Sequence, residues 1–210
     1  MKTALKFSLT LIIVALTGAA TALADAPSRT EGVLVLEFMV AADGTLDSPN
    51  DLLLDVDPYD PAQPDLLSQA LKPDGQPLTF GEFSQARGTA SVKYTPMGSH
   101  VVIKASGLIP NGVYTVWLLT FAAPGYTPNY ENLTSETALG PLDGSRNSFT
   151  ASPAGEAVLS TFHASRLFDE FEFQFAVVYH PDGQTYGPTP GPADALNQYS
   201  YIFDHLLFTF

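Results

Sequence analysis

The chain has no cysteine. That absence excludes disulfides, thiolate nucleophiles, Cys-ligated zinc and iron–sulfur clusters, so packing and hydrogen bonds alone must hold the fold together. Basic residues are scarce: nine Lys and Arg stand against 22 Asp and Glu, a net charge of −13 at pH 7. A surface of that sign repels nucleic acid and anionic lipid, and neither is expected as a partner. Helical periodicity is nearly missing, as are a Gly-x-Ser-x-Gly elbow and a Gly-rich phosphate loop. Beyond the N-terminal region no apolar run approaches the ~20 residues that a bilayer span requires.

The N-terminal region itself has a distinctive order. Met1-Lys2 and Lys6 give a positive start, Phe7 to Leu16 is apolar apart from Ser8 and Thr10, and Ala22-Leu23-Ala24 has the small-x-small form of a cleavage site. The small, Thr-rich stretch Thr17 to Thr21 argues against an uncleaved anchor. We therefore read residues 1–24 as a secretory signal peptide and 25–210 as one exported domain, secreted or periplasmic, with no membrane insertion after cleavage. Loss of Lys2 and Lys6 leaves seven cations against the 22 acids, a balance of −15.

The rest of the chain alternates in the manner of strands. Ala90, Val92 and Tyr94 fall on one face against Ser91, Lys93 and Thr95, and after Pro96-Met97-Gly98-Ser99 the stretch His100 to Ser106 alternates again. Gly107 to Gly112 ends in Asn-Gly, a strong turn signal, and leads into Val113 to Phe121, which is apolar on both faces and carries the single tryptophan, Trp117. Further strands are expected over Gly32 to Val40, Glu156 to His163, Phe171 to His180 and Tyr199 to Phe210. Asp65 could cap a short helical turn through Leu71. Ala122 to Ala154 reads as one long loop, and His180 to Pro192 as a second, stiffened by its prolines. Asp-Gly pairs at Asp43, Asp74, Asp143 and Asp182 punctuate the apolar runs. The pattern predicts an all-β fold: a single antiparallel β-sandwich of Greek-key type, about seven to nine strands, with at most a short helix near 65–71.

Gly88 to Leu118 has a Gly-led strand, a second strand, Gly-Leu, a Pro-Asn-Gly turn and then Tyr-Thr-Val-Trp. In this it resembles the corresponding meander of secreted Greek-key sandwiches such as the CHRD domains and, more distantly, the copper/zinc superoxide dismutases. The resemblance implies a fold and no metal site, because Tyr114-Thr115-Val116-Trp117 stands where the dismutases carry a His-x-His copper pair.

Candidate site residues fall into four groups, beside one pair, Ser99 and His100, that is excluded. His163, His180 and His205 lie in or at the ends of predicted strands, which a Greek key could gather into a copper or zinc site; Asp204 adjoins His205 and faces the other way. Clustered acids, either Asp43, Asp47 and Asp51 or Asp55, Asp57 and Asp60, could converge on calcium, although neither set has the EF-hand spacing. Glu170 and Glu172 would lie ~7 Å apart on one strand face, within reach of a glycosidase pair acting on glycans. Ser99 and His100 are adjacent strand residues that face opposite ways and so form no nucleophile–base pair. Tyr126, Asn129 and Tyr130 in the long loop, with Tyr179 and Tyr186 flanking the His180 hairpin, offer flat faces and amides suited to a sugar or peptide. The expected role is a non-catalytic binding or structural module with an extracellular ligand, a glycan or a protein. A metal-binding protein is the alternative and a glycan hydrolase the third reading.

Overall fold

A computed structural model describes residues 27–35, 39–40, 45–56, 67–121, 133–170, 172–191 and 203–210. Residues 1–24, read above as a signal peptide, and Tyr126, Asn129, Tyr130, Asp43, Asp57 and Asp60 lie outside them. Two antiparallel sheets pack face to face. The four-stranded sheet has the order β1 (Ser28–Glu31), β6 (Arg87–Thr95), β7 (Gly98–Ser106), β11 (Ala157–His163). The six-stranded sheet runs β10 (Ser148–Thr150), β8 (Val113–Phe121), β12 (Glu172–His180), β13 (Phe203–Thr209), β2 (Val33–Leu34), with β9 (Leu133–Ala138) also pairing β8. A small third sheet, β3 (Met39–Val40), β4 (Leu54–Val56) and β5 (Leu67–Gln69), completes the strands. The fold is the expected all-β sandwich.

Several boundaries differ from the sequence expectation, each for a physical reason. Gly32 to Val40 is not one strand. The chain leaves β6 of one sheet and joins β13 of the other at Gly32, where a Cβ would stand 2.8 Å from the Phe208 ring. Only glycine admits that close approach. Leu67–Gln69 is a strand, so the helical turn expected over 65–71 gives way to sheet pairing, and the short helix sits instead at α1 (Phe80–Phe83). Thr79 and Glu82 form a capping box there: the Thr79 hydroxyl accepts from the Glu82 N–H and the Glu82 carboxylate from the Thr79 N–H. Gly88 to Phe121 is a hairpin followed by a crossover, not a meander. β6 and β7 pair through Thr95↔Gly98, but Gly107–Gly112 then carries the chain to the other sheet, with Asn111 at φ 58° making the turn.

The expected loop 122–154 also contains structure, since β9 and β10 both pair along one edge of β8. Its polar LTSETA sequence lacks apolar alternation, so only the neighbouring edge of β8 selects extended structure. Glu170 ends a second short helix, α2 (Leu167–Glu170), while Glu172 opens β12, so the two do not share a strand face.

Alternation places Ala90, Val92, Val101, Ile103 and Leu159 of the four-stranded sheet against Val116, Leu118, Phe173, Phe175, Val177, Leu206 and Phe208 of the six-stranded one. The other face of the six-stranded sheet is buried too, through Trp117, Leu119, Phe121, Ala138, Ala176 and Val178. Leu53, Ala70 and Leu78, next to the third sheet, join the main core and close one end of the sandwich.

His205 ties that end to the barrel of apolar side chains. A β-bulge between Val177 and Val178 leaves it the extra residue on β13, so that His205 and Leu206 are both fully buried. Its ring stacks on Phe83 at 3.8 Å. A carbonyl can only accept, so the 2.7 Å contact to the Phe83 oxygen puts the proton on Nε2. Nδ1 then accepts from the Tyr114 hydroxyl at 3.2 Å, and that hydroxyl accepts from the Ile109 N–H at 2.8 Å.

Burial drives the His205 pKa down to about 4, against the opposing pull of the Phe83 carbonyl. The unfolded chain, with an ordinary imidazole, binds the proton first as pH falls. Stability from this site is therefore whole above about pH 6.5 and is lost towards pH 4, by an amount on the order of 3 kcal/mol. The His205 ring resonance should stay fixed in an NMR titration down to about pH 5; a titration midpoint near 6.5 would contradict the buried neutral imidazole.

Candidate functional site

The six-stranded sheet overhangs the four-stranded one at β9, and a cleft of about 430 Å³ opens between that overhang and the end of the edge strand β11. One wall is the inward face of β8 and β9: Leu118, Thr120, Ser135 and Thr137. The other is the chain leaving β11: Phe162, His163, Ala164 and Ser165, with Gly140, Pro141 and Leu142 closing the end. Among the described residues His163 is the only ionisable group in this lining.

Local geometry explains the hydroxyl-rich wall. β9 bulges opposite the Thr120–Phe121 step, so that Thr134 and Ser135 both flank Thr120. The Thr134 hydroxyl donates to the Thr120 carbonyl at 2.9 Å, and the Thr120 hydroxyl lies 3.0 Å from Thr134 Oγ1 and 2.7 Å from Ser135 Oγ. Such a chain holds each hydroxyl in place without a charge. At the end of the cleft Gly140 has φ 97°, and a Cβ on it would meet Thr161 Oγ1 at 2.3 Å. The Gly140 carbonyl lies 3.2 Å from His163 Nδ1. That nitrogen therefore carries the proton in this contact.

The structure does not bring His163, His180 and His205 together. His163 lines the cleft; His205 spends both ring nitrogens on protein partners in the core; His180 ends β12 and contacts Thr115 Oγ1 through Nε2 at 2.7 Å. The Trp117 indole N–H donates to that same Thr115 oxygen at 2.8 Å. Burial lowers the His180 pKa, with Asp182 pulling the other way. Among the described residues no three His, Asp or Glu side chains are placed to hold a metal ion. The expected three-histidine copper or zinc centre is thus not formed, because alternation and the bulge send the three rings into separate surroundings. Of the calcium candidates, the Asp51 carboxylate is taken up by the N–H groups of Asp47 and Ser48, at 3.1 and 2.8 Å.

Other candidates resolve into structural roles. Tyr179 is fully buried and donates its hydroxyl to the Leu71 carbonyl at 2.8 Å, which pins the third sheet to β12 and removes Tyr179 from any ligand surface. Tyr186 is half-buried; its hydroxyl donates to Asp182, a bond that pushes its pKa up to about 12. Ser99 donates to the Ser165 carbonyl and accepts from the Leu167 N–H, while His100 faces outward to Ser160. Sequence reasoning reached His163 but missed Thr120, Ser135, Thr137 and Thr161. The signal for Ser135 and Thr137, hydroxyls at alternate positions in LTSET, is one that surface strands share, while Thr120 is a single hydroxyl in an otherwise apolar strand end and Thr161 follows Ser160 on β11.

Thr161 Oγ1 is buried behind the cleft with no hydrogen-bond partner. A desolvated hydroxyl without a partner costs ~1–3 kcal/mol. Thr161→Val keeps the shape, so denaturant unfolding should show unchanged or higher stability, by up to about 1 kcal/mol; a loss larger than that would show that the hydroxyl has a partner.

No family model, curated protein or solved structure matches this chain. The likeness over Gly88 to Leu118 accordingly extends to the β-sandwich and to no named family, and the geometry alone carries the functional reading.

Proposed function

We infer that this protein is an exported, non-catalytic binding module that takes a small, neutral, largely apolar ligand in the cleft between β9 and β11. The observation that carries the reading is the composition of that cleft. Its volume of about 430 Å³ lies within the range of small-molecule sites, ~300–1,000 Å³. Leu118, Leu142 and Phe162 supply apolar area, Thr120, Ser135 and Thr137 supply neutral hydrogen-bonding groups, and among the described residues no carboxylate, lysine or arginine lines it. An ionic ligand would lose its hydration there without gaining a counter-charge. Export is supported by the order of charge, apolar run and small residues over 1–24. A non-catalytic role is supported by Ser99 and His205, whose polar atoms serve the fold.

Protein-observed NMR titration of the 15N-labelled chain with neutral monocyclic fragments bearing one hydroxyl or carbonyl tests this. Bound fragments should shift the amide resonances of Leu118, Thr137 and Phe162. Ala164→Trp, which places an indole at the exposed rim, should weaken them by at least about tenfold, a loss of ~1.4 kcal/mol. Absence of binding, or shifts confined to the His180–Tyr186 hairpin, would overturn the assignment.

A further inference from the structure

The outward face of the four-stranded sheet has a charge opposite to that of the molecule. Its strand register places Arg29 of β1 beside Ser91, Lys104 of β7 beside Thr89, and Arg87 and Lys93 on β6 itself, all on the face turned away from the core. All four are exposed. Nine Lys and Arg occur in the whole chain, of which Lys2 and Lys6 belong to the N-terminal segment; four of the remaining seven therefore share this one face. Glu31 is the only acid on the β1 and β6 stretches that carry them. None of these four makes an ion pair among the described residues, unlike Lys72, which pairs with Glu82.

We propose that this face binds an acidic polysaccharide. Arg87 and Lys93 stand six positions apart on β6, ~20 Å along the strand, with Lys104 and Arg29 on the flanking strands between them. That is an extended row of charge on an open sheet, suited to a chain molecule lying across it rather than to a small anion in a pocket. Neutral hydroxyls interleave with the cations: Thr89, which accepts from Arg29 at 3.4 Å, Ser91, and Ser160 on β11. A hydroxyl-rich polyanion can use both kinds of group. Nucleic acid would use aromatic rings for stacking, and the β11 side of this face offers only Phe162, at its edge. The acids elsewhere on the protein do not cancel this local field, because salt screens charges beyond ~8 Å at physiological ionic strength.

Binding of the purified protein to polygalacturonate and to dextran sulfate, measured by calorimetry at several salt concentrations with neutral dextran as control, tests the proposal and separates carboxylate from sulfate ligands. Four contacts on a flexible polyanion should weaken the affinity about fifty-fold between 50 and 200 mM salt, and the double charge reversal K93E/K104E should cut that to about sevenfold or abolish binding. R146E, an exposed cation outside this face, should leave it unchanged. K93Q/K104Q serves if the reversed variant does not fold. Failure to bind either polyanion at 50 mM salt, a salt slope unmoved in the folded double variant, or equal affinity for a single-stranded oligonucleotide of the same charge would each overturn the proposal.

Discussion

The ladder between β8 and β12 constrains everything else in this structure. It runs without interruption from Glu172↔Phe121 to His180↔Val113, and both strands bury almost every side chain on both faces. Two adjacent strands with no solvent face leave no room for a polar constellation between them. Tyr114, Val116, Leu118, Phe175 and Val177 fill the inter-sheet core, while Trp117, Leu119, Ala176 and Val178 form the second cluster. Within this layer Thr115 is satisfied locally by Trp117 and His180, whereas the buried His180 Nδ1 has no hydrogen-bond partner among the described residues. The two proposed binding places accordingly lie at the edge of this ladder or beyond it: the cleft at β9 and the outward face of the four-stranded sheet.

The same logic disposes of the histidines. An imidazole at a strand position goes wherever alternation and register send it, and three such positions on different strands have no reason to meet. His205 is driven furthest into the core by its bulge and becomes a hydrogen-bonded spacer between Phe83 and Tyr114. Tyr179 shows the same effect for an aromatic candidate: near the end of the ladder its ring packs in the core, and its hydroxyl donates to the Leu71 carbonyl.

Much of the scaffold was legible from residue patterns, and the exceptions are instructive. β6, β7, β8, β11 and β12 carry alternation or continuous apolar runs strong enough to be read locally, and Trp117 was placed in the core by the character of its strand. β9 was missed because its extended form comes from the edge of β8 and not from its own composition. Asn111-Gly112 gave a strong turn signal, but turn chemistry does not say which sheet the next strand will join. The cleft was illegible for a related reason: it arises from the unequal width of two sheets, a property of strand order. The cationic face was visible only as seven scattered residues until register aligned four of them.

Charge segregation and the burial of the β8–β12 ladder fit one picture, in which a sheet buried on both faces is the scaffold and the two proposed binding surfaces lie at its edge or outside it. The most direct test uses Trp117, the single tryptophan of the chain, whose side chain is fully buried on the second face of that ladder. Acrylamide quenching of the native protein should find its fluorescence blue-shifted and nearly inaccessible, becoming quenchable only on unfolding. Solvent-like emission with free quenching under native conditions would contradict a sheet buried on both faces, and with it the account of where this protein can bind.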